Sequence, residues 1–253
     1  MQQSTTVPLE KLNNGPYAQV VCYPRASPEE LESRIGQLRG LGVLALEFSG
    51  KSAAFKLPVL GKGYVGVVAV AHVNGQRLAI KMRRSDADRK SLMPEADLLR
   101  MANSVGVGPL FVAVSGDFLL MQLIEGDVFP SWVMKQGDGA VLRGVLRDIL
   151  EQCWRLDEIG LDHGELSKAP KHLLIGKENN AFIVDFETSS SARRVANVTS
   201  VCHFLFQGNS DSAKRIAEVL GPRDTFKLVL ALKCYKKERV RSNFERLLSL
   251  CLA

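Results

Sequence analysis

The stretch Leu60-Gly61-Lys62-Gly63-Tyr64-Val65-Gly66-Val67-Val68, with Ala79-Ile80-Lys81 after it, constrains the fold of this 253-residue chain more than any other. Gly61, Gly63 and Gly66 have no side chain to cover the backbone, so their N–H groups are expected to lie open to an anionic ligand. Lys81, at the end of the next strand, supplies a mobile cation suited to phosphate oxygens. Together they predict a nucleoside triphosphate site. A G-x-G-x-x-G spacing also marks dinucleotide-binding turns, but those open a helix and need an acid about 20 positions on. Here the glycines lead into the β-branched run Val65–Val73, then the hairpin signal Asn74-Gly75, then Arg77–Lys81. The pattern is an antiparallel sheet over phosphates, and Lys81 stands where the acid would be. The plain alternative is a glycine-rich hairpin with a surface lysine.

The length allows one large domain or two lobes sharing a cleft. Hydrophobic content of 46% and charged content of 24% are ordinary for a globular chain. No apolar run approaches the roughly 20 residues that span a bilayer, so no membrane partner is expected. The start, Met1 to Pro8, lacks the regions of a signal peptide. Cys22, Cys153, Cys202, Cys234 and Cys251 are scattered, with no C-x-x-C, and predict reduced, mostly buried thiols in a cytoplasmic protein. A net charge of +6 tolerates a polyanionic partner. Lys233, Lys236, Lys237, Arg239 and Arg241 concentrate part of it and read first as a solvated helix face, second as a nucleic-acid patch.

Residues 1–16 read as loosely ordered. Tyr17–Tyr23 reads as a strand, Ser27-Pro28-Glu29-Glu30 as a helix start, and Val43–Phe48 as a strand, so a β-α-β extension over 17–50 precedes the glycine hairpin. It would brace the sheet or bind a partner. Pro94–Asn103 reads as a helix, with an earlier start and a kink at Pro94 as an alternative. Phe111–Val114 and Phe118–Met121 read as a second hairpin, and Gln122–Gly126 as a connector. Ala140–Ile159 carries Leu142, Val145, Leu146, Ile149, Cys153 and Leu156 at helical spacing, a core stripe. Leu173–Ile175 and Ala181–Val184 read as a small hairpin, and the last 50 residues as two or three helices. The fold class is α+β: a β-rich N-terminal lobe over 1–124 and a reduced α-helical lobe over 125–253.

In order along the chain, these residues resemble the protein kinase motifs. Gly61, Gly63, Gly66 and Val68 match the glycine-rich loop, with Lys62, Tyr64 and Val65 inside it. Ala79-Ile80-Lys81 matches the strand lysine, and Glu95 the helix carboxylate that pairs with it. Met121, Gln122 and Ile124 fall in the hinge-like stretch Met121–Gly126. His163-Gly164-Glu165-Leu166 stands in place of the catalytic loop, and Asp185-Phe186-Glu187 in place of D-F-G. His-Gly in the catalytic loop and the compact second lobe are similar to the atypical RIO kinases, the small kinase of the KEOPS complex, and an archaeal family of predicted serine/threonine kinases.

The resemblance implies a bilobal kinase-like fold, ATP with Mg2+ or Mn2+, and a protein serine or threonine acceptor, including the chain itself. It implies that Lys81 holds phosphates with Glu95 aiming it, Asp185 ligates metal, and Glu165 takes the acceptor's proton. The plain alternatives are a surface cation for Lys81, a helix N-terminal acid for Glu95 and a turn residue for Asp185.

Several residues depart from the pattern. Glu165 replaces aspartate and reaches one methylene farther. Ser167-Lys168-Ala169-Pro170-Lys171-His172 is two residues longer than usual, and puts His172 where a metal-binding asparagine is expected. His172 would ligate a metal, with Mn2+ suited better than Mg2+, or donate to a phosphate, or pack. His163 reads as structural. No A-P-E motif follows, so the peptide-docking platform is expected to be missing. Thr188–Ser191 and Thr199-Ser200 offer hydroxyls for autophosphorylation. Three further readings stay open: an ATPase-type switch in ribosome or tRNA maturation with an RNA or ribosomal partner, a nucleotide-binding pseudokinase, and a small-molecule kinase.

Overall fold

The computed structural model describes residues 4–168 and 170–253, and its first strand comes from the stretch expected to be loosely ordered. Thr5–Pro8 (β1) pairs antiparallel with Val43–Phe48 (β2), aligning Val7 with Leu46. Gly15–Val21 (α1), expected as a strand, is a helix with proline in its first turn. Tyr17 stacks on Phe48 at 5.4 Å between ring centroids, and Val20 and Val21 are fully buried in the same core. That burial, about 1.5–3 kcal/mol per large apolar side chain, outweighs the few tenths by which β-branched residues disfavour a helix. The extension is therefore α-α-β. Pro28–Gly40 (α2) begins where expected, with the Ser27 hydroxyl accepting from the Glu30 N–H at 3.1 Å.

Short strands Ser52–Ala54 (β3) and Leu57–Val59 (β4) lead to Gly61–Lys62 (β5), Gly66–Val73 (β6) and Gln76–Arg83 (β7). Asn74 and Gly75 hold left-handed backbone, φ 49° and 77°, which matches the twist of the strands they join. Met93–Asn103 (α3) starts one residue before Pro94, in whose first turn the missing N–H costs nothing. Phe111–Val114 (β8) and Phe118–Gln122 (β9) complete an antiparallel sheet in the order β1-β2-β6-β7-β9-β8, with β5 on β6.

The period of two along a strand sorts this sheet. Val67, Ala69, Ala71 and Val73 of β6 and Leu78, Ile80 and Met82 of β7 join a core with Leu38 of α2. Ala79 and Lys81 point to the opposite face. Arg34, fully buried on α2, ties the extension to this sheet. It donates to the Val21 and Arg83 carbonyls at 2.6 Å each and pairs with Glu30 at 2.9 Å.

The chain divides into two units, Met1–Arg100 with Leu110–Leu123 and Met101–Pro109 with Ile124–Ala253. In the second, Gly126–Val128 (β10), Leu173–Gly176 (β11) and Ala181–Ile183 (β12) form a three-stranded antiparallel sheet, so the expected connector donates a strand. Phe129–Val133 (α4) precedes the long Gly139–Glu158 (α5), whose expected stripe is buried. Asn197–Cys202 (α6), Asp211–Leu220 (α7), Thr225–Lys237 (α8) and Arg241–Leu252 (α9) follow. Trp154 of α5 stacks on Phe244 of α9 at 5.1 Å, and the Tyr235 hydroxyl of α8 donates to Asp157 at 2.8 Å. All five cysteines are free, and only Cys234 is exposed. Among the described residues, no helix is long and apolar enough to cross a membrane.

Candidate functional site

In the N-terminal unit, β5 and β6 converge on the turn Gly63–Gly66. The Gly63 N–H donates to the Gly66 carbonyl at 2.9 Å, so it is engaged inside the turn rather than open as expected. The three glycines are also not equivalent. A Cβ on Gly66 would lie 2.9 Å from the Met82 carbonyl oxygen and 3.0 Å from Cγ of Lys81, whereas one at Gly63 would meet nothing closer than 3.9 Å. Gly66 is thus the position where a side chain would collide with the lysine strand. Tyr64 at the tip is 91% exposed.

Lys81 pairs across the sheet with Val68 and Leu119, and Ala79 with Val70 and Met121. The Lys81 ammonium donates to Glu95 Oε1 at 2.8 Å, with both side chains buried, so the expected lysine–carboxylate pair exists. Gln122 is tied to Leu110, its Oε1 accepting from the Leu110 N–H at 3.2 Å and its own N–H donating to the Leu110 carbonyl at 2.8 Å.

Arg84 was not expected in this site. Its backbone N–H donates to the Val65 carbonyl at 2.8 Å and its guanidinium to the Gly63 carbonyl at 3.2 Å. Asp86 grips the same guanidinium at 2.7 and 2.8 Å, and Tyr23 lies under it at 5.0 Å and under the Lys62 ammonium at 5.6 Å. Apart from the Asp86 pair, the contacts join residues 19 or more positions apart, and nothing in a local pattern signals them.

In the C-terminal unit, His163 is fully buried. Its Nε2–H donates to the Val184 carbonyl at 3.0 Å, and its backbone N–H donates to Asn197 Oδ1 at 2.8 Å. Burial pulls its pKa down from 6.5 to about 4, so the ring is neutral, and Nδ1 has no hydrogen-bond partner among the described residues. Phe186 packs edge-on at 5.2 Å and His172 at 5.4 Å. Gly164 has φ +91°, and a Cβ there would lie 2.5 Å from Nη2 of Arg193. That guanidinium donates to Asp162 Oδ2 at 2.6 Å and to the Thr188 carbonyl at 3.1 Å. Glycine at 164 therefore has a backbone cause, a φ of +91° that side-chain-bearing residues rarely adopt.

Glu165, His172 and Asp185 come together. His172 Nε2 lies 3.3 Å from Glu165 Oε2, and its Nδ1 4.0 Å from Asp185 Oδ2. His172 Nδ1 is buried and makes no hydrogen bond among the described residues, so the ring stands between the two carboxylates with that nitrogen toward Asp185. Asp185 holds φ +71°, and carboxylate oxygens of Asp185 and Glu187 lie within 4.8 Å of each other. Carboxylate oxygens are hard donors of the kind that hold Mg2+ or Mn2+, and Asp185 and Glu187 offer two of them. Ile124 is half-buried in this unit, and Ala169 of the lengthened loop lies outside the described residues.

The chain is similar to a Methanocaldococcus jannaschii protein described as uncharacterized protein MJ1211. The two are 32% identical over 100 residues, which is 40% of this chain and 83% of that protein. The chain belongs to the same family as that protein. No protein-family model matches it.

Proposed function

We propose that this protein is an ATP-dependent phosphotransferase of the atypical serine/threonine kinase class. The observation that carries the reading is the buried Lys81–Glu95 pair at 2.8 Å, beside a turn in which a side chain at position 66 would collide with the lysine strand. A buried ion pair costs desolvation and seldom stabilises a fold outright, so its presence favours a role in aiming the ammonium. The β-rich and α-rich units fit the two lobes of that class. Glu165, His172, Asp185 and Glu187 supply the groups its chemistry needs, in its order along the chain.

Phosphoryl transfer asks for positioning and charge neutralisation. Lys81 would hold the α- and β-phosphates, with Glu95 fixing its direction. Asp185, Glu187 and His172 would hold Mg2+ or Mn2+, which when bound neutralises phosphate oxygens. Glu165, its Oε2 3.3 Å from His172 Nε2, would receive the proton of an acceptor hydroxyl on a carboxylate oxygen. That contact orients the longer Glu165 side chain and offsets the extra methylene. The acceptor is a protein serine or threonine, the chain itself included.

Incubation with ATP labelled on its γ-phosphate, with Mg2+ or Mn2+, tests the reading. Wild type incorporates label and Asp185→Ala does not; equal incorporation by the two sinks the proposal. ATP hydrolysis without incorporation, stimulated by RNA or ribosomal particles, would replace it with the switch reading.

A further inference from the structure

The basic stretch near residues 233–241 holds more than a solvated helix face. Lys236 and Arg239 meet Arg194 around a cavity of about 260 Å3 within the C-terminal unit, with Thr199 on its wall and Asp157 and Tyr235 also lining it. The cations come from two segments about 40 residues apart, and each arginine is pinned to the segment opposite. Arg194 Nη2 donates to the Lys236 carbonyl at 3.0 Å, and Arg239 Nη2 donates to the Val195 carbonyl at 3.1 Å. One nitrogen of each guanidinium is spent on this crossed brace, which fixes the fork while leaving its other donors. A plain helix face carries its charges on one segment; here three cationic residues from two segments line one cavity.

The one carboxylate of the cavity, Asp157, leaves the three cations in excess, and its oxygens are engaged elsewhere. Asp157 already accepts from the Tyr235 hydroxyl at 2.8 Å and from the Asn197 backbone N–H and side-chain amide at 3.0 and 2.8 Å. The cavity is smaller than the roughly 300–1,000 Å3 of sites for drug-sized organic ligands. Its aromatic ring, Tyr235, is 1% exposed and offers no face on which a nucleic-acid base could stack.

We propose that this cavity is an anion site for a phosphomonoester dianion, either free phosphate or a phosphorylated side chain. Three cations in a compact concavity match the three strong acceptor oxygens of that group. The site is separate from Lys81 and does not depend on the kinase reading.

Isothermal titration calorimetry on the full chain tests it, with inorganic phosphate, a phosphothreonine peptide, its unphosphorylated twin and a single-stranded RNA as probes. Lys236 is the clean handle: it is exposed, and its ammonium has no hydrogen bond or ion pair with another described residue. We expect phosphate or the phosphopeptide to bind, the unphosphorylated peptide not to, and Lys236→Glu to weaken binding about tenfold or more with an unchanged melting temperature. Arg194→Gln should weaken it in the same direction. Lys81→Met should leave it intact, which separates this site from the nucleotide site. Tighter binding of the phosphopeptide identifies a phosphorylated protein as the source, and equal binding identifies free phosphate. Unchanged phosphomonoester affinity in Lys236→Glu, its loss in Lys81→Met, or Lys236-dependent binding of RNA alone would overturn the proposal.

Discussion

The two sets of site residues are held in opposite ways. The Lys81 and Glu95 side chains are 5% and 4% exposed and meet at 2.8 Å, whereas those of Glu165 and Asp185 are 38% and 36% exposed around His172. A desolvated pair is rigid, because any motion that separates it leaves a charge without solvent. Half-exposed carboxylates around an imidazole can shift to accept a proton or a cation at little cost. The first set is therefore built as a fixed frame and the second as an adjustable one, as expected if phosphates are gripped by one and protons moved at the other.

The largest effect that would sharpen this contrast is on transfer. Asp185→Ala should lower γ-phosphate incorporation by roughly 10²-fold or more, the usual loss when a group that stabilises transferring charge is removed, with no large change in melting temperature. Glu95→Ala should act in the reverse sense, on stability: it removes the 2.8 Å partner of a buried ammonium and should cost about 3–5 kcal/mol in denaturant unfolding. Combining it with Lys81→Met should recover most of that. A Glu95→Ala protein as stable as wild type would break the contrast.

His163 sets a pH dependence of similar size. Its folded pKa, about 4, lies below the 6.5 of the unfolded chain, so between these values the unfolded state binds the extra proton. Stability is full above pH 6.5 and is lost as pH falls toward 4, by about 3 kcal/mol in all. His163→Gln should flatten that slope, and an unaltered slope would remove the claim that this buried ring is its source.

The smallest effects separate the glycines. Gly66→Ala forces a Cβ to 2.9 Å from the Met82 carbonyl oxygen, which should cost about 1–3 kcal/mol in unfolding free energy. Gly63→Ala has room for its methyl group and should stay within about 0.5 kcal/mol.

What the sequence made legible was local. Ser27-Pro28 capped a helix, Asn74-Gly75 made its tight turn, and the apolar stripe of α5 became core, because each signal is complete within a few residues. Lys81 and Glu95 could be paired by motif order alone. The helix at Gly15–Val21 was misread because its stability lies in Tyr17 on Phe48 and in the buried valines, contacts that propensity does not contain. The strand Thr5–Pro8 looked polar and gains its structure from pairing with β2, some 40 residues on. Arg34, Arg84 and Arg193 were invisible for the same reason, since each fixes backbone far from it in sequence. His-Gly at 163–164 looked like a departure from a motif and answers a backbone φ of +91° at Gly164.

The central claim is that the Lys81–Glu95 frame binds nucleotide and that Glu165 acts only in transfer. Thermal unfolding of wild type, Lys81→Met and Glu165→Gln with saturating ATP and Mg2+ or Mn2+ tests it most directly. At 100 times the dissociation constant, ligand should stabilise wild type and Glu165→Gln alike by about 2.7 kcal/mol and leave Lys81→Met much less stabilised. ATP that stabilises none of the three, or that stabilises Lys81→Met as much as wild type, would contradict the account.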